Sequence, residues 1–119
     1  NITTLVNDRD NLGKTALHYS AYSGSVSGVK TLLELGGNIL IKDKNKQSPF
    51  HVALVAGRYN TILIMLASPK GNYAQNDRDG EGLTPIHLAA LYRRVNILST
   101  LVQRGALMKR YTKLCNTHF

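Results

Sequence analysis

The chain has 119 residues, 43% of them hydrophobic and 18% charged, and a formal net charge of +8 from 15 basic and 7 acidic side chains. This length suits one domain, and this balance of apolar and charged residues excludes an unstructured polar tail. The longest purely apolar run, Ile62 to Ala67, falls far short of the roughly 20 residues of a bilayer helix, so no segment is predicted to cross a membrane.

No basic-then-apolar leader opens the sequence, and no signal peptide is expected here. Cys115 is the sole cysteine, so an internal disulfide is impossible and a reducing compartment fits. The sequon Asn1-Ile2-Thr3 would be silent there. The positive charge has two readings: a solvated surface, or an anionic partner such as an acidic protein, a lipid headgroup or polyphosphate. Nucleic acid is not expected, because the cations are spread thinly and no basic helix, aromatic sheet motif or zinc spacing accompanies them.

In chain order, Leu5-Val6-Asn7-Asp8-Arg9-Asp10 leads into Asp10-Asn11-Leu12-Gly13-Lys14-Thr15-Ala16-Leu17-His18. Thr15 is suited to cap a short apolar helix, which Gly24 ends. A second helix carries Val26, Val29, Leu32 and Leu33 at spacings of three and four, forming one apolar stripe, and Gly36-Gly37 ends it. The same order recurs from Asp43. Ser48 caps, Pro49 takes the first helical position where its missing N–H costs nothing, and His51 follows. Gly57 then stops the helix, and a second one holds Ile62, Met65 and Leu66. From Asp79 comes a third copy with Thr84, Pro85 and His87. Its second helix holds Val95, Leu98, Leu101 and Val102 and is expected to end at Gly105.

Two landmarks fix the period. His51 lies 33 residues after His18, and His87 lies 36 after His51; Asp10, Asp43 and Asp79 show the same two steps. The period of 33 and the stretch Thr84-Pro85-Ile86-His87-Leu88-Ala89-Ala90 resemble the ankyrin repeat. The resemblance implies an all-α repeat solenoid of stacked helix-turn-helix units joined by hairpin loops. Its units are a partial repeat over 1–9, full repeats over 10–42, 43–78 and 79–111, and a truncated one over 112–119, where Thr117 and Phe119 fall at the places of Thr84 and Ile86. No polar capping repeat stands at either end, so a segment of a longer array is expected.

Several positions depart from the pattern. Ala16 replaces the usual proline. Lys46 and Arg93 stand where other copies have glycine, and would be strained wherever the turn needs a positive φ. Gly28 should weaken its helix by roughly 1 kcal/mol relative to alanine. Repeat two ends at Ser68-Pro69 and carries three extra residues within Lys70 to Gln75, a cheap insertion for which contact with a partner is one role.

The histidines invite a metal or catalytic reading. Stacked helices lie about 8–10 Å apart, so His18, His51 and His87 are not expected to converge on one ion. Their repetition favours a structural role, bonding the Thr or Ser hydroxyl and tying neighbouring loops. Asp10, Asp43 and Asp79 recur at loop starts, where aspartate caps turns. Without a phosphate loop, nucleophile elbow or paired cysteines, neither enzymatic activity nor a catalytic residue, metal or cofactor is expected. Cys115, beside Lys109, Arg110 and Lys113, is either a reactive thiol or a small turn residue. The tyrosines Tyr19, Tyr22, Tyr59, Tyr73, Tyr92 and Tyr111 are mostly expected to pack with a wet hydroxyl.

Partner contacts are expected at positions that vary while the frame stays fixed. These are Leu12, Lys14 and Tyr22, with Asn11 and Ser23, in repeat one. Repeat two supplies Lys44, Asn45 and Gln47, with Val55 and Ala56. In repeat three they are Glu81, Leu83, Leu91 and Tyr92, with Gly80. In ankyrin proteins such positions lie on hairpin tips and on the inner helices of the concave face. Leu83, Leu91 and Tyr92 are expected either as an exposed apolar group open to a partner or as a group covered by a neighbouring stretch of the same protein.

A narrower resemblance rests on Lys44-Asn45-Lys46-Gln47-Ser48-Pro49-Phe50-His51, on Ala56-Gly57-Arg58-Tyr59-Asn60-Thr61, on the 36-residue step and on Gly105-Ala106-Leu107. Together these resemble transient receptor potential ankyrin (TRPA) channels. That family carries a cytoplasmic ankyrin array before a six-helix cation-channel domain and forms tetramers. The resemblance implies a segment that couples a chemical, thermal or mechanical stimulus to gating through protein contacts. Its partners would be adjacent repeats of the same chain and, in the full protein, a homotetramer. A soluble cytosolic scaffold binding an acidic protein is the alternative.

Overall fold

The computed structural model describes the backbone of residues 1–116 and the side chains of residues 1–105. Its elements are α1 (Ile2–Val6), α2 (Ala16–Ser23), α3 (Val26–Glu34), α4 (Pro49–Ala56), α5 (Tyr59–Ala67), α6 (Gly71–Gln75), α7 (Pro85–Leu91) and α8 (Val95–Asn116). No strand occurs among the described residues. The helices form two rows. In one, α2 packs on α4 and α4 on α7; in the other, α3 packs on α5 and α5 on α8. Stacking by nearest neighbours gives an elongated body with extents of 48 × 33 × 26 Å.

Each helix pair forms for local reasons. Ser48 and Thr84 cap α4 and α7 by accepting the His51 and His87 backbone N–H groups at 3.3 and 3.4 Å. Pro49 and Pro85 hold the first helical positions. At the other end, Gly24 and Gly57 adopt left-handed φ values of 76° and 77°, which turn the chain into the next helix. The core lies between the rows, where Phe50, Leu54, Ile62 and Met65 are wholly buried. Each such side chain contributes about 1.5–3 kcal/mol by leaving water.

Lys46 and Arg93 both have φ of 60°, matching the left-handed glycines of the other copies. The repeat geometry therefore imposes the turn even where the side chain opposes it. Gly28 lies inside α3, where its N–H donates to the Ser25 hydroxyl oxygen at 3.1 Å.

Three expectations need correction. Gly105 does not end the last helix, because α8 runs on to Asn116. Helical backbone spans 112–116, the start of the expected truncated repeat; Thr117 and Phe119 lie outside the described residues, as does the Cys115 side chain. The buried stripe of α8 is Ile97 and Leu101, whereas Val95 and Val102 are exposed. Leu98, also expected in the stripe, is half-buried and packs on the core. Finally, Leu83 is half-buried and packs on the core, leaving Leu91 and Tyr92 as the exposed members of their expected group.

The three-residue insertion falls in the stretch that folds as the five-residue α6. Gly71 approaches Leu66 so closely that an added Cβ would lie 1.9 Å from the Leu66 carbonyl oxygen. Glycine is required there by space, with no left-handed backbone involved.

Candidate functional site

The aspartates at the loop starts act on backbone. One oxygen of each accepts two N–H groups: Leu12 and Lys14 for Asp10, Asn45 and Gln47 for Asp43, Glu81 and Leu83 for Asp79, at 2.9–3.0 Å. This fixes each hairpin before its helix begins. Neighbouring hairpins then join directly, the Lys44 N–H donating to the Leu12 carbonyl at 3.0 Å.

The histidines link successive repeats. His18 Nδ1 lies 2.9 Å from the Thr15 hydroxyl and accepts the Thr15 N–H at 3.0 Å, while Nε2 lies 3.0 Å from the Gln47 carbonyl. His51 repeats this with the Ser48 hydroxyl at 2.9 Å and the Asp77 carbonyl at 2.8 Å. A carbonyl only accepts, so Nε2 carries the proton and Nδ1 is the acceptor. Desolvation lowers the pKa of both rings below the ordinary histidine value, partly opposed by the carbonyl bond of each. His87 keeps the hydroxyl contact with Thr84, 2.5 Å away, but is exposed. Among the described residues, no group of three or more His, Cys, Asp or Glu side chains is placed to hold a metal ion.

Two further ladders repeat at the same register. Arg58 Nε donates to the Tyr22 carbonyl at 2.9 Å, and Arg94 donates to the Val55 carbonyl through Nε at 3.1 Å and Nη2 at 2.7 Å. Each arginine crosses the glycine that ends the preceding inner helix. A Cβ on Gly24 would lie 2.8 Å from Arg58 Cδ, and one on Gly57 3.0 Å from Arg94 Cζ. The second ladder runs through the basic residue before each loop aspartate. Arg9 donates to the Lys42 carbonyl, and Lys42 Nζ donates to the Arg78 carbonyl at 2.7 Å while pairing with Asp77 at 3.2 Å. Sequence reasoning missed both ladders. The signal was the recurrence of Arg or Lys at the steps of 33 and 36, masked by reading positive charge as free surface.

These ladders place the expected contact residues. Leu12, Tyr22, Leu91 and Tyr92 are exposed, Tyr22 at 65%. Tyr22 and Tyr73 pack less than expected, whereas the Tyr19 hydroxyl bonds Asp10 and so holds that carboxyl below its usual range. Lys44, Asn45, Gln47 and Glu81 meet at the hairpin tips around a cleft of about 280 Å³, which Lys46, Asp79 and Gly80 also line. Lys14, Tyr22 and Gln47 meet around a second cleft of about 420 Å³ beside α2 and α4, lined also by Val52, Val55, Ala56 and Arg58. Leu91 and Tyr92 lie apart from both, at the end of α7.

The family described as "Ankyrin repeats (3 copies)" matches residues 35–112, and that described as "Ankyrin repeat" matches residues 12–44. The chain is 39% identical over 106 residues to Transient receptor potential cation channel subfamily A member 1 of Homo sapiens, a match covering 89% of this chain and 10% of that protein. It is 38% identical over 106 residues to the protein of the same name from Drosophila melanogaster, covering 89% of this chain and 9% of that protein. Against the Putative E3 ubiquitin-protein ligase XBAT31 of Arabidopsis thaliana the identity is 35% over 105 residues, covering 80% of this chain and 23% of that protein. The chain thus spans about a tenth of the length of the two channel proteins.

Proposed function

The chain belongs to the ankyrin-repeat family, and from that premise we propose that it is a cytoplasmic ankyrin segment of a TRPA-type non-selective cation channel, coupling a sensory stimulus to the gate through protein contacts. The observation that carries this reading is the similarity to the two channel proteins, at 39% and 38% identity over 89% of the chain, against 35% over 80% for the ligase. In this reading the segment catalyses nothing and needs no cofactor or metal. Its histidine, arginine and lysine ladders are structural parts of a stack that transmits displacement between repeats. Its parent is a homotetramer, and the segment stands on the cytoplasmic side of the membrane.

Among the described residues no helix is long and apolar enough to cross a membrane. The channel reading therefore requires spans elsewhere in the parent protein. Fractionation of cells that make the protein, with an antibody to this segment, tests it. A band several-fold larger than 13.1 kDa that leaves the membrane only in detergent is expected. A band that stays soluble after salt washing overturns it.

The second reading, a soluble scaffold for an acidic protein, is favoured by the net charge of +8. A lipid headgroup or polyphosphate is a further anionic ligand that this charge admits.

A further inference from the structure

The cleft over α2 and α4 combines features that fit one class of ligand. Its floor is apolar, made by Val52, Val55 and Ala56, and its charged lining residues are both cations, Lys14 and Arg58. The nearest carboxylate is spoken for: Asp43 is 5% exposed, and Oδ1 accepts two backbone N–H groups while Oδ2 faces Lys14 Nζ at 3.8 Å. At that distance the pair is electrostatic only, and the Lys14 ammonium keeps its donors for a ligand. Arg58 is held by Nε on the Tyr22 carbonyl, while neither Nη makes a hydrogen bond among the described residues. Tyr22 stands at the rim beside it, unburied.

The two cations occupy opposite ends of α2, because Lys14 precedes the helix and Arg58 is tied near its last turn. Eight residues at a rise of about 1.5 Å put the backbone points that hold them, before α2 and in its last turn, roughly 12 Å apart. Polyphosphate is best held where cations converge, and these do not converge; a floor of aliphatic carbon gives phosphate nothing to bond. An extended peptide fits better. Alternate side chains share one face, so two carboxylates four residues apart lie about 13 Å from each other with a third side chain between them. We propose that this cleft binds an extended acidic peptide segment of the pattern Glu-x-Leu-x-Glu, with its carboxylates on Lys14 and Arg58 and its aliphatic side chain on Val52 and Val55. The inference rests on the reading of the chain as a protein-binding segment, and it holds whether or not the parent spans a membrane.

The test uses the purified full-length protein and a fluorescein-labelled peptide Gly-Glu-Ser-Leu-Ser-Glu-Gly, read by anisotropy at low salt. Binding is expected to weaken about tenfold when both Glu are replaced by Gln, and several-fold when Leu is replaced by Ser. Tyr22 is exposed, so changes there spare the fold. Tyr22→Glu is expected to weaken binding about tenfold by occupying Arg58, and Tyr22→Lys to tighten it several-fold, a gain that no loss of folding would produce. Equal binding of the Gln peptide, or unchanged binding by both Tyr22 variants, overturns the proposal. So does displacement of the peptide by inorganic polyphosphate together with undiminished binding of the Ser-for-Leu peptide, which would make the cleft a plain anion site. A soluble parent on fractionation sinks the channel reading and leaves this one standing; a membrane-bound parent that ignores the peptide does the reverse.

Discussion

Replacing His51 by alanine separates a histidine that joins repeats from one that only caps a helix. The ring is wholly buried, with Nδ1 on the Ser48 hydroxyl at 2.9 Å and Nε2 on the Asp77 carbonyl at 2.8 Å. Two hydrogen bonds at about 1 kcal/mol each, plus about 2 kcal/mol for the buried volume left empty, give a loss of about 4 kcal/mol. His87→Ala should cost less than about 1 kcal/mol, because that ring is exposed and bonds Thr84 alone. Urea unfolding provides the comparison. At a slope of about 1–3 kcal/mol per molar, His51→Ala lowers the midpoint by more than about 1 M and His87→Ala by a fraction of that. Hydrogen exchange should quicken first around Ser48 and Asp77, the two ends of the bridge. Equal losses for the two variants would refute the claim that the buried ring and its cross-repeat carbonyl bond stabilise the stack more than the exposed ring does.

Other outcomes follow from the same geometry. Unfolded histidine binds a proton near pH 6.5, whereas His18 and His51 bind theirs at lower pH in the fold. Their contribution is therefore present in full above pH 6.5 and lost as pH falls through the lower folded-state values, and a double His18→Gln, His51→Gln variant should show a flatter midpoint-against-pH curve in that window. Lys46→Gly and Arg93→Gly relieve φ values of 60° and should each raise the urea midpoint, by about 1 kcal/mol of stability. Gly57→Ala should cost at least about 1–2 kcal/mol, since its Cβ meets Arg94 and its φ is 77°. Arg104 holds the insertion through Gln75 Oε1 at 2.7 Å and Asn72 Oδ1 at 3.1 Å, so Arg104→Ala should speed hydrogen exchange across Gly71–Gln75 and leave α4 protected.

The frame of the fold is legible in the chain because capping and helix stops are local. Ser48-Pro49, Thr84-Pro85, Gly24 and Gly57 each act within one turn of backbone, and each sits where its chemistry requires. The histidine bridges are half legible. The hydroxyl partner lies three residues away and could be named, whereas the carbonyl partners at Gln47 and Asp77 depend on how neighbouring repeats are stacked. The basic ladders escaped for that reason too: Arg58 to Tyr22 and Lys42 to Arg78 each span 36 residues, and both acceptors are main-chain atoms that sequence does not mark. Leu83 shows a different limit. It was grouped with Leu91 and Tyr92 by variation between repeats, but its side chain turns to the core because Asp79 fixes the hairpin through the Leu83 N–H. Gly105 looked like a stop because the second helix of repeat one ends at Gly36-Gly37, yet glycine halts a helix only where the next residues turn away, and here the helix continues to Asn116.

The channel reading meets its most direct test in whole-cell recording from cells expressing the full-length protein and its His18→Ala, His51→Ala double variant. The account predicts a non-selective cation current whose stimulus threshold shifts in the double variant while its unitary conductance stays the same, since in the channel reading these bridges join cytoplasmic repeats and take no part in the pore. A full-length protein that reaches the cell surface and carries no current, or a double variant that alters conductance and leaves the threshold unmoved, would contradict it.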